Sequence, residues 1–90
     1  MRTVKLAKKF KHEYDLMQKR GKDIGKLDIV IFSLAMEGCL PPGLKDHPLR
    51  GRFIGFRSCH IETDWILIYA IDDESVYLSR TGSHADIYSL

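Results

Sequence analysis

Three histidines, an aspartate and an arginine in the second half of the chain could together cleave a phosphodiester. The histidines are His47, His60 and His84, and the other two residues are Asp64 and Arg80. One of these groups can take the proton of a ribose 2′-hydroxyl, and another can give a proton to the departing 5′ oxygen. A guanidinium can hold the negative charge that builds on the phosphate. Because no nucleophilic Ser or Cys stands among them, these side chains predict metal-free cleavage of RNA by acid–base catalysis.

A predicted hairpin brings four of these groups together, namely His60, Asp64, Arg80 and His84. If residues 61–63 form its turn, His60 and Asp64 lie opposite each other at one end of the sheet. A carboxylate in that position can orient the imidazole and raise its pKa. The third strand of an antiparallel meander ends beside the start of the second strand. The segment that contains Arg80 and His84 is therefore expected at the same end of the sheet.

A zinc site is the alternative that the same side chains allow. His47, His60, His84 and Asp64 are all possible zinc ligands. Their long spacings match no strong zinc motif such as HExxH, and Walker, Rossmann and nucleophile-elbow motifs are absent from the sequence. The acid–base interpretation is therefore preferred, and no metal or cofactor is expected.

The first part of the chain predicts a strand followed by two helices. Residues 2–7 alternate apolar and polar side chains, as a half-buried strand does. From Lys8 the apolar residues recur at helical spacing as far as Gly21. Asp23 can cap a second amphipathic helix, which Gly38 can end. These signals predict a helix hairpin after the first strand.

The rest of the chain predicts three successive strands after an irregular loop. Residues 40–52 are rich in Pro and Gly. The strands are expected at residues 53–60, 64–71 and 75–81, with turns at 61–63 and 72–74. Residues 65–71 are apolar on both faces, which predicts a central strand covered on one side by the helix pair. The order of elements predicts an α+β fold with a largely antiparallel sheet, in a single domain over residues 1–90.

Length and composition exclude several classes of protein. A chain of 90 residues that is 44% hydrophobic and 29% charged should fold, but it is too short for a second domain or a deep cavity. Its active site must therefore be a surface cleft. The longest apolar run is too short to span a membrane, so no membrane contact is expected. Cys39 and Cys59 form no CxxC pair, and without a secretory signal they are expected to be reduced core residues of a cytoplasmic protein.

Positive charge is concentrated in the N-terminal part of the chain. Residues 1–26 contain nine Lys or Arg and three acidic residues, whereas residues 27–90 contain five and nine. A cationic surface of this kind attracts phosphate backbones or an acidic protein partner. A solvated helix face with no partner is the alternative interpretation of the same charges.

The chain also resembles a known family over nearly its whole length. The segments that match, in one-letter code, are KDHPLRG at 45–51, GFR at 55–57, HI at 60–61, DWILIY at 64–69 and RTGSH at 80–84. With these segments the sequence is similar to the YafQ branch of the RelE/ParE-like bacterial toxins. The resemblance is specific in residues 45–90 and generic in the two helices.

The resemblance implies a toxin of a type II toxin–antitoxin pair with the RelE-like fold. Such a toxin would be a ribosome-dependent mRNA endoribonuclease. A small antitoxin of the RelB/DinJ kind would neutralise it, and it would bind operator DNA only as part of the complex with that antitoxin. Residue by residue, the resemblance makes His47, His60, Asp64 and His84 the acid–base set and Arg80 the phosphate contact. We expect Asp64 to orient an imidazole and His84 to act as the general acid.

Four further residues are expected to bind the substrate. They are Lys45, Arg57, Trp65 and Tyr88. Trp65 and Tyr88 match family positions that help to place the RNA. Trp65 also begins an apolar strand and is equally suited to the core, and Tyr88 could instead be a hydrophobic residue that closes the fold.

Two other functions share this architecture. One is a ParE-like gyrase inhibitor, and the other is a catalytically silent protein that only binds an antitoxin and an operator. ParE-like chains generally lack the set of His and Asp residues found here, so the sequence favours the nuclease.

Overall fold

A mixed sheet with two helices on one face forms the framework of the molecule. The computed structural model describes residues 1–88. The elements in chain order are β1 (Thr3–Leu6), α1 (Lys8–Lys19), α2 (Ile24–Glu37), β2 (His47–Pro48), β3 (Arg57–Glu62), β4 (Trp65–Ile71), β5 (Ser75–Gly82) and α3 (His84–Tyr88). The predicted α+β class is confirmed, as is the order of one strand, two helices and three main strands. The short strand β2, the helix α3 and a 3₁₀ turn at Gly51–Phe53 were not predicted.

The sheet has the strand order β1-β5-β4-β3-β2. β1 pairs in parallel with β5, and the other three neighbouring pairs are antiparallel. β4 is the central strand, as its apolar residues on both faces predicted. Because β3 and β4 are antiparallel neighbours, as are β4 and β5, the end of β3, the start of β4 and the end of β5 lie at the same end of the sheet.

Alternate residues of β4 enter two separate hydrophobic clusters, because successive side chains of a strand point to opposite faces. Ile66 and Ile68 pack with Ile87 of α3 in one cluster. The buried residues of the other, helix-side cluster are Phe10, Met17, Leu27, Val30, Leu34, Cys59, Trp65, Leu67, Tyr69, Val76 and Leu78. The smaller cluster therefore holds α3 against the face opposite α1 and α2.

Capping groups define both ends of α2, as predicted. The side chain of Asp23 accepts a hydrogen bond from the N–H of Gly25 (3.2 Å). Gly38 follows the last turn in the left-handed conformation (φ 73°), and its N–H donates to the carbonyl of Leu34. A side chain at Gly38 would strain this backbone, so glycine suits the position.

The connection between β3 and β4 is shorter than predicted. β3 begins at Arg57, after the 3₁₀ turn, and continues to Glu62, so the turn consists of Thr63 and Asp64 instead of residues 61–63. The strand continues because Ile61 packs against the helix-side cluster and Glu62 forms ion pairs with lysines of the helical half. A bulge between His60 and Glu62 absorbs the change of register.

The two cysteines lie in different environments. Cys59 is fully buried as predicted, and burial raises the pKa of its thiol to about 12. The prediction that Cys39 is a core residue was wrong, since it is exposed. Cys39 follows the glycine that ends α2 and therefore lies beyond the last turn that packs on the sheet. Within residues 1–88, no helix is long and apolar enough to cross a membrane.

Candidate active site

Three histidines from three elements form a cluster on the surface. His60 belongs to β3, His84 is the first residue of α3, and His47 lies in β2. The ring centroids of His60 and His84 are 5.3 Å apart, and the ring of Tyr88 is 6.2 Å from that of His84. His47 pairs across the sheet with Ser58, which is two residues before His60 on β3, so both imidazoles lie on the same face of the sheet. The sequence predicted that His60, Asp64 and His84 lie together at this end of the sheet, and the structure places them so.

Asp64 holds the imidazole of His84. One carboxylate oxygen, Oδ1, accepts a hydrogen bond from Nδ1 of His84 (2.7 Å) and another from the backbone N–H of the same residue (3.0 Å). These bonds, the backbone one first, hold the pKa of the Asp64 carboxyl below its usual range. Because Nδ1 donates to Asp64, Nε2 is the ring atom left for a substrate.

The expected pairing of Asp64 with His60 was wrong. Asp64 lies within the two-residue turn and so is not a cross-strand partner of His60, whose partner on β4 is Ile66. The backbone after β5 instead brings His84 to the carboxylate. The role of Asp64 as an orienting group is retained, but it orients a different imidazole.

His60 favours its neutral form, contrary to the predicted raised pKa. Partial burial lowers the pKa of His60, and electrostatic interaction with His84, Lys45 and His47 lowers it further. A neutral imidazole can accept a proton. The environment therefore suits His60 to the role of general base.

A short loop positions His47. Lys45 adopts the left-handed backbone conformation (φ 53°), and its carbonyl accepts a hydrogen bond from Nδ1 of His47 (2.9 Å). Asp46, between them, accepts two hydrogen bonds from Arg57 (3.2 and 3.1 Å) and one from the hydroxyl of Tyr69 (2.7 Å). Both Lys45 and His47 are exposed. These contacts anchor the loop on the sheet and leave the side chains of Lys45 and His47 at the surface.

Arg57 and the histidine cluster lie on opposite faces of β3. Side chains alternate along a strand, and Cys59 points into the helix-side cluster, so Arg57 shares its face and His60 does not. The guanidinium of Arg57 is engaged by Asp46. The structure therefore gives Arg57 a part in positioning the loop of His47 and does not support direct contact with a substrate.

Arg80, the predicted phosphate contact, is held in an ion pair. Its Nε and Nη2 each lie 2.8 Å from a carboxylate oxygen of Glu13 in α1, and Nη2 is also 3.4 Å from the carbonyl of Asp86. The side chains of Arg80 and Glu13 are only 13% and 9% exposed. Within residues 1–88, Nη1 is the guanidinium nitrogen with no hydrogen bond. The sequence did not reveal Glu13 as the partner of Arg80.

The edge of the sheet explains why Glu13 is there. β1 pairs with β5 only from Ser75 to Leu78, so the last part of β5 has β4 on one side and no strand on the other. α1 covers this part of β5. Glu13 accepts a hydrogen bond from the backbone N–H of Thr81 (3.3 Å) in addition to those from the guanidinium of Arg80. The carboxylate thus replaces a strand neighbour and draws Arg80 towards α1.

Trp65 is a core residue in this structure. Its side chain is fully buried, and its Nε1 donates a hydrogen bond to Oγ1 of Thr81 (2.9 Å). That hydroxyl in turn donates to the carbonyl of Ile66 (2.9 Å). A buried ring offers no surface to RNA, so the structure does not support the predicted substrate contact of Trp65.

Tyr88 remains on the surface beside the cluster. It is 40% exposed, and its ring packs edge-on against Phe53 at 6.0 Å. Arg52 stands next to this pair, with its guanidinium 5.0 Å from the Phe53 ring and its Nη2 donating to the carbonyl of Ile87 (3.0 Å). Sequence reasoning missed Arg52. The exposed tyrosine and this arginine provide an aromatic and a cationic group close to His84.

Metal binding gains no support from the part of the chain that is described. Among residues 1–88, no three His, Cys, Asp or Glu side chains lie close enough together to hold a metal ion. Asp64 uses Oδ1 for His84, and Nδ1 of His47 is bonded to a backbone carbonyl. The side chains that were considered as zinc ligands are thus partly committed to other partners.

Comparisons with known proteins agree over nearly the whole chain. Residues 2–89 match the model of a family described as the bacterial toxin of type II toxin–antitoxin systems, YafQ. The chain is 39% identical over 88 residues to the mRNA interferase toxin YafQ of Escherichia coli K12. This match covers 97% of this chain and 96% of the relative.

Solved structures show the same fold. A chain in the crystal structure of the E. coli DinJ–YafQ toxin–antitoxin complex is 38% identical, with a TM-score of 0.90 and 98% of each chain covered. A metal-bound toxin from Helicobacter pylori is also 38% identical, with a TM-score of 0.87, and the match covers 97% of this chain and 99% of that one. Both similarities extend through the helices and the sheet.

Proposed function

This chain belongs to the YafQ family of toxins of type II toxin–antitoxin systems, and we propose that it is an endoribonuclease that cleaves mRNA on the ribosome without a metal. The observation that carries the proposal is the pair of imidazoles of His60 and His84, 5.3 Å apart, with Asp64 bonded to His84. The E. coli relative is named an mRNA interferase, which supports the same substrate.

The chemistry follows from the two environments. Neutral His60 takes the proton of the ribose 2′-hydroxyl, and the resulting oxygen attacks the adjacent phosphorus. The bond from phosphorus to the 5′ oxygen breaks, and His84, held by Asp64, gives a proton to that oxygen. The upstream fragment is left with a 2′,3′-cyclic phosphate. Lys45 adds positive charge near His60, where negative charge builds on the phosphate, and His47 is the third imidazole of the acid–base set.

Arg80 has a restricted part in this mechanism. While Glu13 holds Nε and Nη2, Arg80 can reach a phosphate only through Nη1. The ion pair also keeps the guanidinium charged, because the hydrogen bonds that Arg80 donates to Glu13 raise the pKa of Arg80 further above its usual value. Its part in the reaction is therefore electrostatic.

A translating extract tests the function. The purified chain, added to an extract that translates a reporter mRNA, is expected to cut that mRNA, and primer extension locates the cuts. The same mRNA without ribosomes is the control and should stay intact. If translation stops while the mRNA remains whole, the target is not mRNA. A DNA supercoiling assay would then test the gyrase alternative, which the family comparisons do not favour.

We also propose that an acidic antitoxin of the DinJ kind is the protein partner, as DinJ is for the E. coli relative. Exposed Lys8, Lys9 and Lys11 give α1 a cationic surface. Beside it lies an apolar groove of about 340 Å³, which is lined by Val4, Leu6, Phe10, Tyr14, Ile31 and Leu78 and also by Lys11 and Asp15. An apolar groove next to a cationic helix surface fits a segment that carries both apolar and acidic side chains.

Reversing the charges of Lys8, Lys9 and Lys11 to Glu is expected to slow association with the antitoxin by about ten-fold or more at low salt, because electrostatic steering is lost. The salt dependence of the association rate should flatten as well. Stopped-flow fluorescence measures both effects, and the same three positions changed to Gln should give an intermediate rate. An unchanged rate would mean that this helix face is only solvated.

A further inference from the structure

The helix that presents His84 is too short to be stable by itself. α3 contains five residues, His84–Tyr88, and helices of this length do not persist in water without tertiary contacts. Ile87 packs on the sheet and anchors the far end of the helix. The position of His84 at its first turn must therefore depend on other contacts.

A capping box holds this first turn. The backbone N–H of Ser83 donates to Oδ2 of Asp86 (2.9 Å), and the backbone N–H of Asp86 donates to Oγ of Ser83 (3.1 Å). These reciprocal bonds satisfy two N–H groups that a helix start otherwise leaves unpaired. Close packing supports them, since a Cβ at Gly82 would lie 3.0 Å from Cβ of Asp86. The sequence Ser-x-x-Asp at 83–86 carries the pattern of such a box.

Arg20, at the end of α1, also binds the carboxylate of Asp86. Its Nη1 lies 2.7 Å from Oδ2 of Asp86 and its Nη2 lies 3.2 Å from Oδ1, which is a two-pronged pairing with fixed geometry. The hydrogen bond from Arg20, followed by those from Ser83, lowers the pKa of Asp86 to about 2. The carboxylate is therefore ionised at physiological pH and can bind the cap and Arg20 at once.

We propose that Arg20 is a positioning residue for His84. Arg20 holds the carboxylate of Asp86. Asp86 and Ser83 together fix the first turn of α3. That turn places the backbone N–H and the imidazole of His84 against Asp64. The inference rests on the proposed function only where it speaks of activity, because the chain of contacts itself is independent of the substrate. The ion pair is partly exposed, with side-chain exposures of 43% and 25%, and such pairs contribute little to global stability.

Arg20→Gln is therefore expected to lower kcat for RNA cleavage by about ten-fold with little change in KM or Tm, since small misplacements of a catalytic group are costly. Lys19→Gln is the matched control, because it removes one positive charge from the same helix end and should leave kcat unchanged. Arg20→Lys, which keeps the charge without the two-pronged geometry, should restore part of the activity.

Two measurements that need no RNA decide the proposal. In Arg20→Gln the amide proton of His84 should exchange faster with solvent, and the pKa of Asp64 should rise towards its usual value as the bonds from His84 weaken. Both are read by NMR, together with β4 amides that should not change. In an Asp86→Asn background, Arg20→Gln should add no further effect.

The contrary result is equally clear. If His84 amide exchange and the titration of Asp64 are the same in Arg20→Gln as in the wild type, Arg20 does not position His84, whatever happens to kcat. A wild-type chain that cleaves no RNA would instead overturn the proposed function, and the NMR measurements would still test the contacts.

Discussion

Replacing His84 with alanine is expected to lower mRNA cleavage by about 10²- to 10⁴-fold, the usual cost of losing general acid catalysis. The departing 5′ oxygen would lose its proton donor, while the apolar packing of α3 through Ile87 remains. Expression of the wild type without a partner should arrest translation, and expression of His84→Ala at the same protein level should be tolerated. Radiolabelled amino acid incorporation measures the arrest, and circular dichroism checks the fold.

His12→Ala provides the internal control. His12 is exposed on α1 and lies outside the histidine cluster, so this variant should remain fully toxic. If His84→Ala arrests translation as strongly as the wild type while its fold is intact, His84 has no part in the mechanism.

A substrate with 2′-deoxyribose at the scissile nucleotide is expected to show no measurable cleavage. In the proposed mechanism the 2′-oxygen is the nucleophile, so its removal leaves His60 with no proton to abstract and the phosphorus with no attacking atom. With the normal substrate, mass spectrometry of the upstream fragment should first detect a 2′,3′-cyclic phosphate.

A metal-activated water would give a different result, because it attacks phosphorus directly and leaves no cyclic end. Cleavage of the deoxy substrate at a comparable rate would rule out the acid–base mechanism. Chelators discriminate poorly here because ribosomes themselves need magnesium. Elemental analysis of the purified protein is the better complement, and tightly bound zinc would return the metal alternative to consideration.

Arg80 has a proposed role in catalysis and also a structural role in the fold. The salt bridge between Arg80 and Glu13 is nearly buried and lies at the edge of β5 beyond the end of its pairing with β1. Such a pair holds the guanidinium at a fixed place, because separating the two side chains would leave an unpaired charge in a nearly buried position. The proposed electrostatic role and the edge of the sheet therefore depend on the same residue.

The local elements could be predicted from the sequence because the signals that specify them are short in range. The alternation in residues 2–7, the capping residue Asp23, and Gly38 at the end of α2 each act within a few residues of chain. The apolar segment 65–71 predicted the central strand, because only a strand covered on both faces can bury all of its side chains. The closeness of His60 and His84 followed from the antiparallel order of the strands.

Only the tertiary structure decided which side chains meet. Asp64 binds His84 and not His60 because the strand continues to Glu62 and shortens the turn by one residue. Glu13 and Arg80 are 67 positions apart in the sequence, and no local pattern connects them.

The burial of Trp65 and the pairing of Arg20 with Asp86 have the same origin. Trp65 faces the helix-side cluster because of its parity along β4, and a shift of one residue would have turned it to the other face. Arg20 meets Asp86 only after α1 packs along β5 and α3 packs on the opposite side of the sheet. Propensities and caps act along the chain, whereas register and packing act across it, and the partners of the functional groups are set by register and packing.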